Sequence, residues 1–102
     1  MQTTNEWSCS ISKMLDTLSG KWRLNTAWVI AKHDKIGFNQ LKKQLPGITS
    51  IMLVRSLDAL IAAGYVSKKL TGTKPPLLSE YRVTAKFLQR LPFLLALNAL
   101  DD

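Results

Sequence analysis

At 102 residues, with 46% apolar and 8% aromatic side chains, the chain is sized for one domain with a modest core, marginal as a monomer. Its net charge is +7, and residues 21–90 hold 13 of the 14 Lys and Arg against Asp34, Asp58 and Glu80, a local net of +10. Such a middle favours a polyanionic partner, nucleic acid ahead of an anionic membrane surface, although solvated charge without a partner also produces it. The single cysteine excludes an internal disulfide.

The opening MQTTNEWS has no basic region followed by an apolar run, so no signal peptide is expected. The longest apolar-rich stretch, residues 87–100, is broken by Gln89, Arg90, Pro92 and Asn98. It falls short of the roughly 20 residues that span a bilayer. The expected compartment is the cytoplasm, with no membrane partner.

Residues 1–8 read as a polar arm. A helix over about 9–20 follows, because Ile11, Met14, Leu15 and Leu18 recur at i, i+3, i+4, i+7 before Gly20. A second helix, about 21–32, carries Trp22, Val29 and Ile30, with Asn25 and Trp28 harder to place. KHDKIG reads as a turn.

The organising stretch is FNQLKKQLPGITSIMLVRSLDALIAAGYV, Phe38 to Val66. Asn39 is a plausible N-cap for a short helix with Leu41 and Leu45 on one stripe. Pro46-Gly47 stops it, since proline lacks an amide donor and glycine tolerates positive φ. Thr49 is placed to cap a longer helix whose Leu53, Leu57 and Leu60 share a face, and Gly64 is placed to end it. Residues 38–64 thus read as a helix-turn-helix or as an ordinary helical hairpin. The sequel favours the first. Tyr65–Leu70 and Ser79–Val83 read as strands joined by a Gly/Pro loop, a basic wing over 65–83. Thr84 is placed to cap a last helix, 84–100, with apolar residues on more than one face and Pro92 inside it. The expected class is mainly α with a small β-hairpin wing, a winged helix-turn-helix.

Within that frame Ser50, Ile51, Val54 and Arg55 lie early in the second helix and off its leucine face. Arg55 suits a bidentate contact to guanine, and Ile51 or Val54 a thymine methyl. Equally, Ile51 and Val54 suit packing on a neighbouring helix or a partner. Lys42 and Lys43 suit phosphates, and Lys68, Lys69, Lys74 and Arg82 suit the wing. With Thr49 these residues make up the expected DNA-binding set. Cys9, just before a helix start with Lys13 a turn later, stands where amide dipoles favour thiolate, or is an inert side chain. His33 has no second His or Cys near it in sequence, so no metal site is expected. No catalytic triad, paired-carboxylate or phosphate-loop pattern occurs, and neither an enzyme nor a cofactor is expected.

The ordered set Cys9-Ser10-Ile11, Gly20-Lys21-Trp22, Phe38-Asn39-Gln40-Leu41, Leu45-Pro46-Gly47-Ile48-Thr49 and Ala63-Gly64-Tyr65-Val66 resembles the HxlR family. So do Leu53, Leu57 and Leu60, and beyond them Pro75-Pro76, Glu80-Tyr81, Thr84 and Leu91-Pro92. These are winged-helix transcription regulators related to MarR regulators, and the likeness covers about residues 9–100. It implies a homodimer on double-stranded DNA, joined through the first and last helices. The dimer set is then Ile11, Met14, Leu15 and Leu18 with Leu91, Leu94, Leu95 and Leu97. Some members use a cysteine at the position of Cys9 to sense oxidants or electrophiles. This chain departs from the pattern at Ser10 and Ser50, where proline is usual. It departs again at Leu77-Leu78, where an arginine often stands, and at Phe87, where glycine is expected. The other class left open is a winged-helix module that docks a protein through Ile51, Val54 and Ile61.

Overall fold

The computed structural model describes Leu18, Gly20, residues 22–75 and residues 77–100, the last four by backbone alone. The arm, Cys9, and Ile11, Met14 and Leu15 of the first expected helix lie outside the described residues. Four helices are given as α1 (Arg23–Ala31), α2 (Phe38–Lys43), α3 (Ser50–Ala62) and α4 (Ala85–Leu100). Three strands join them: β1 (Ile36–Gly37), β2 (Val66–Thr71) and β3 (Leu78–Val83).

The sheet runs β1-β3-β2 and is antiparallel throughout. Val66 faces Val83 at one end of the β2–β3 hairpin and Thr71 faces Leu78 at the other. The expected two-stranded wing gains a third strand, because Ile36 pairs with Tyr81 and Gly37 with Glu80. Both Ile36 and Tyr81 are buried, so the apolar pair pulls the expected KHDKIG turn into the sheet. Lys35 and Glu80, each next to a residue of the Ile36–Tyr81 pair, form an ion pair of 3.6 Å in which Glu80 is half-buried.

This strand also moves the start of α2. Gly37, extended at φ −86°, ψ 167°, occupies the N-cap without a side-chain bond. Asn39, the expected cap, is the second residue inside the helix. Leu45 lies beyond the end of α2 and yet is buried, so it serves the core from the turn.

The longer helix follows its local chemistry closely. Thr49 is extended and its hydroxyl accepts a hydrogen bond from the Met52 amide at 3.1 Å. A cap of this kind contributes about 1 kcal/mol. Leu53, Leu57 and Leu60 are buried on one face. Gly64 stops the helix at φ +84°. Its amide donates to Ile61 O at 3.0 Å, and the Tyr65 amide reaches back to Leu60 O at 2.9 Å. These two bonds satisfy carbonyls that a helix end leaves open.

The core gathers Ala27, Ile30, Ile36, Leu41, Leu53, Leu57, Leu60, Tyr65, Tyr81 and Phe87 from every layer. Trp22, half-buried against it, holds a left-handed φ of +75° at the start of α1. A non-glycine residue there stores on the order of 1–3 kcal/mol of strain. Its ring lies within van der Waals range of Gly47, 3.8 Å from where a Cβ would stand. The ring therefore supports the turn between α2 and α3. Gly47 itself has φ +92°, so a side chain there is strained by backbone as well.

Candidate nucleic-acid interface

The outward face of α3 carries Ile51, Val54, Arg55 and Asp58, all exposed. Ile51 is 65% and Val54 44% accessible. Neither packs in the core of its own chain, which leaves a base contact or packing on a partner. Ser50 is exposed beside the Thr49 cap. Ser56, also on α3, is buried with the leucines and takes no part in this face. Arg55 borders a hollow of about 200 Å³ with Gly20, Trp22, Arg23, Met52 and Ser56.

Lys42 and Lys43 close α2, where a helix C-terminus favours cations. They share an open hollow of about 480 Å³ with Asn39, Leu45, Gly47 and Ile48, at the turn that leads into α3. The wing cations form a second group. Strand alternation and register put Lys69 on one face of the hairpin with Glu80 and Arg82, and Lys68 on the other with Tyr81. The three strand cations thus do not form a single patch. Lys74 is exposed in the connecting loop. Leu70, Leu77 and Leu78 are exposed around it, giving the wing an apolar as well as a basic surface.

Sequence reasoning missed the residues that fix the far end of α3. Lys86 Nζ donates to Ala63 O at 2.6 Å, and Thr84 Oγ1 donates to Gly64 O at 2.6 Å. The ammonium also sits 4.8 Å from the centre of the Tyr65 ring. Thr84 Oγ1 accepts from the Phe87 amide at 3.5 Å, a long version of the expected cap. One short segment therefore starts α4 and clamps the end of α3. The hydrogen bonds span about two dozen residues of chain, and no local pattern announces them.

Of the residues expected at a dimer contact, Leu18 and Leu94 are 3% and 8% accessible within the chain. Both pack into its own core, whereas the sequence reading sets them at the dimer contact. The sequence gives α4 surplus apolar residues, and the nearest ones fill the core first. Leu91 is half-buried and Leu95 exposed. With Leu24, Asn25, Trp28 and Leu94 they line a cleft of about 230 Å³ between α1 and α4. Leu88 and Phe93 are exposed elsewhere on α4. The side chain of Leu97 lies outside the described residues.

His33 makes a 3.3 Å contact to Gln44 Oε1. Among the described residues no three His, Cys, Asp or Glu converge as a metal site requires. No helix among them is long and apolar enough to cross a membrane.

A helix-turn-helix whose second helix is capped and clamped at opposite ends, followed by a hairpin, defines a winged helix-turn-helix protein. Residues 17–101 match the model of the HxlR-like helix-turn-helix family. An uncharacterized HTH-type transcriptional regulator of Methanothermobacter thermautotrophicus is 30% identical over 93 residues, 91% of this chain and 70% of that protein. A second such regulator, from Halalkalibacterium halodurans, is 35% identical over 80 residues, 78% of this chain and 70% of its own length. Among solved structures, the redox regulator HypR in its reduced form superposes with a TM-score of 0.78 at 27% identity, covering 88% of this chain and 87% of that one. Reduced YodB of Bacillus subtilis shares the fold, with a TM-score of 0.78 at 18% identity over 88% of this chain and 86% of its own. The chain belongs to the HxlR-like helix-turn-helix family and is a transcriptional regulator of the helix-turn-helix type.

Proposed function

We propose that the protein is a cytoplasmic, sequence-specific regulator that binds pseudo-palindromic duplex DNA as a homodimer. In this reading residues 1–102 form one domain: an arm (1–8), dimer helices (9–20 and 84–100), the helix-turn-helix (38–64) and the wing (65–83). The observation that carries it is the outward face of α3, with Arg55 exposed on a helix whose start is approached by Lys42 and Lys43. The helix enters the major groove, the lysines hold phosphates, and the hairpin lies along the backbone or minor groove. Two-fold symmetry sets half-site centres about 10 base pairs apart, or a multiple of that.

The dimer is built on the open cleft and exposed leucines of α4. The wild-type chain should sediment as a dimer at micromolar concentration. On DNA, Lys43→Ala or Lys74→Ala should weaken all duplexes alike and flatten the dependence of log affinity on log salt by about one unit each. A monomer, or unchanged slopes, would remove these assignments.

Cys9 is the only thiol in the chain, so any thiol-based response to oxidants or electrophiles runs through it. Oxidant should then weaken DNA binding by wild type and leave Cys9→Ser unaffected. Equal responses would assign Cys9 to packing. Exposure of Ile51 and Val54 also supports a second reading, a winged-helix module that docks a protein. Binding that ignores salt and duplex alike would favour it.

A further inference from the structure

We infer that α3 reads thymine 5-methyl groups through Ile51 and Val54, so that the preferred half-site carries thymines beside a base read by Arg55. The inference rests on the DNA-binding reading above and names the sequence class that site would take. Ile51 and Val54 stand about one turn apart on the exposed face, 65% and 44% accessible. A free surface gains nothing from two such side chains, each of which would bury apolar area on a suitable partner.

The extent of the patch decides which partner. The next outward positions on the same face are Arg55 and Asp58, both exposed and charged. The fully exposed apolar area on this face is therefore two side chains, with Ile61 beside Val54 half-buried against the core. A stable protein interface needs about 800 Å² on each partner with an apolar centre, far more than two branched aliphatics supply. In the major groove the requirement is smaller. Thymine is the base that projects an apolar group there, and a single aliphatic side chain covers it.

The spacing agrees with such a target. Ile51 to Asp58 spans seven residues, roughly 10 Å of helix, or about three base-pair steps of 3.4 Å. Ile51 and Val54 can thus meet methyls on neighbouring steps while Arg55 reaches a guanine edge beside them. Asp58 at the far end accepts from a cytosine amino group, or holds that end of the helix off the phosphates.

The test uses the full-length dimer and its best duplex from a random pool, with each half-site thymine replaced singly by 2′-deoxyuridine. Uracil keeps the pairing and loses only the methyl. Loss at one or two positions per half-site should be about three- to fivefold, the burial of one methyl. Uracil at flanking positions should have no effect. Ile51→Ala should abolish the uracil penalty at one position and Val54→Ala at another. Both side chains are exposed, so circular dichroism should show both variants folded. If the duplex is still preferred but uracil costs nothing at any half-site thymine, methyl reading is wrong, the DNA-binding reading stands and the two side chains are left for a protein partner. If no duplex is preferred over random DNA, the underlying reading fails and the inference fails with it.

Discussion

Replacing Phe87 with alanine should lower the free energy of unfolding by about 3–5 kcal/mol. Its side chain is 0% accessible and the largest of the fully buried ones among the described residues. It meets Tyr65 edge-on, with ring centroids 6.1 Å apart and planes at 76°, a favoured aromatic geometry. Tyr65 in turn follows the Gly64 stop of α3, and Lys86 and Thr84 bind the carbonyls of Ala63 and Gly64 just past the end of that helix. Removing the phenyl ring thus empties the junction at which α4 meets the helix-turn-helix. Urea unfolding followed by circular dichroism reads the effect directly. Leu78→Ala is the matched comparison, since Leu78 is 69% accessible and surface truncations stay within about 0.5 kcal/mol. Similar midpoints for the two variants would show that Phe87 is not the pin of this junction.

Arg55→Ala should have the largest effect on recognition, about 1–3 kcal/mol on the preferred duplex and little on random DNA. Arg55 is exposed, and the ion pair between Lys35 and Glu80 does not involve it. No hydrogen bond or ion pair among the described residues engages its guanidinium, whose forked donors suit a base edge. It is also the only cation among Ile51, Val54, Arg55 and Asp58, so no neighbour on that face substitutes for it. Affinity should fall, and preference should relax at one base position in each half-site. Equal loss on preferred and random duplexes would make Arg55 a phosphate contact instead. Specificity would then rest on the methyl contacts or on DNA shape.

Features written in local chemistry were legible in the sequence. Thr49 caps α3 because a hydroxyl just before a helix finds an open amide within three residues, wherever the rest of the chain lies. Gly64 ends it because few other residues tolerate φ +84°. Leu53, Leu57 and Leu60 share a buried face because their spacing follows the helical repeat. The misses all involve partners distant in sequence. Gly37 displaced Asn39 as the helix start because Ile36 and Gly37 pair with a strand more than forty residues on. Leu18 and Leu94 went to the chain's own core, since periodicity shows that a face is apolar and not which surface covers it. Lys86 has no local pattern that marks it, and only the fold brings it to the end of α3.

The candidate site divides in the same way. Exposure of Ile51, Val54 and Arg55 follows from their place opposite the leucine face, which the sequence shows. The split of the wing, with Lys69 and Arg82 on one face and Lys68 on the other, depends on register. Val66 opposite Val83 sets that register, and a shift of one residue would exchange the faces.

If α3 of a dimer reads duplex sequence, selection of bound duplexes from a random pool at physiological salt should enrich a two-fold symmetric site, with half-site centres about one helical turn or a multiple apart. Affinity for that site should exceed affinity for random DNA by about three orders of magnitude or more. A pool that emerges without an enriched motif, bound no better than random DNA, would contradict that reading.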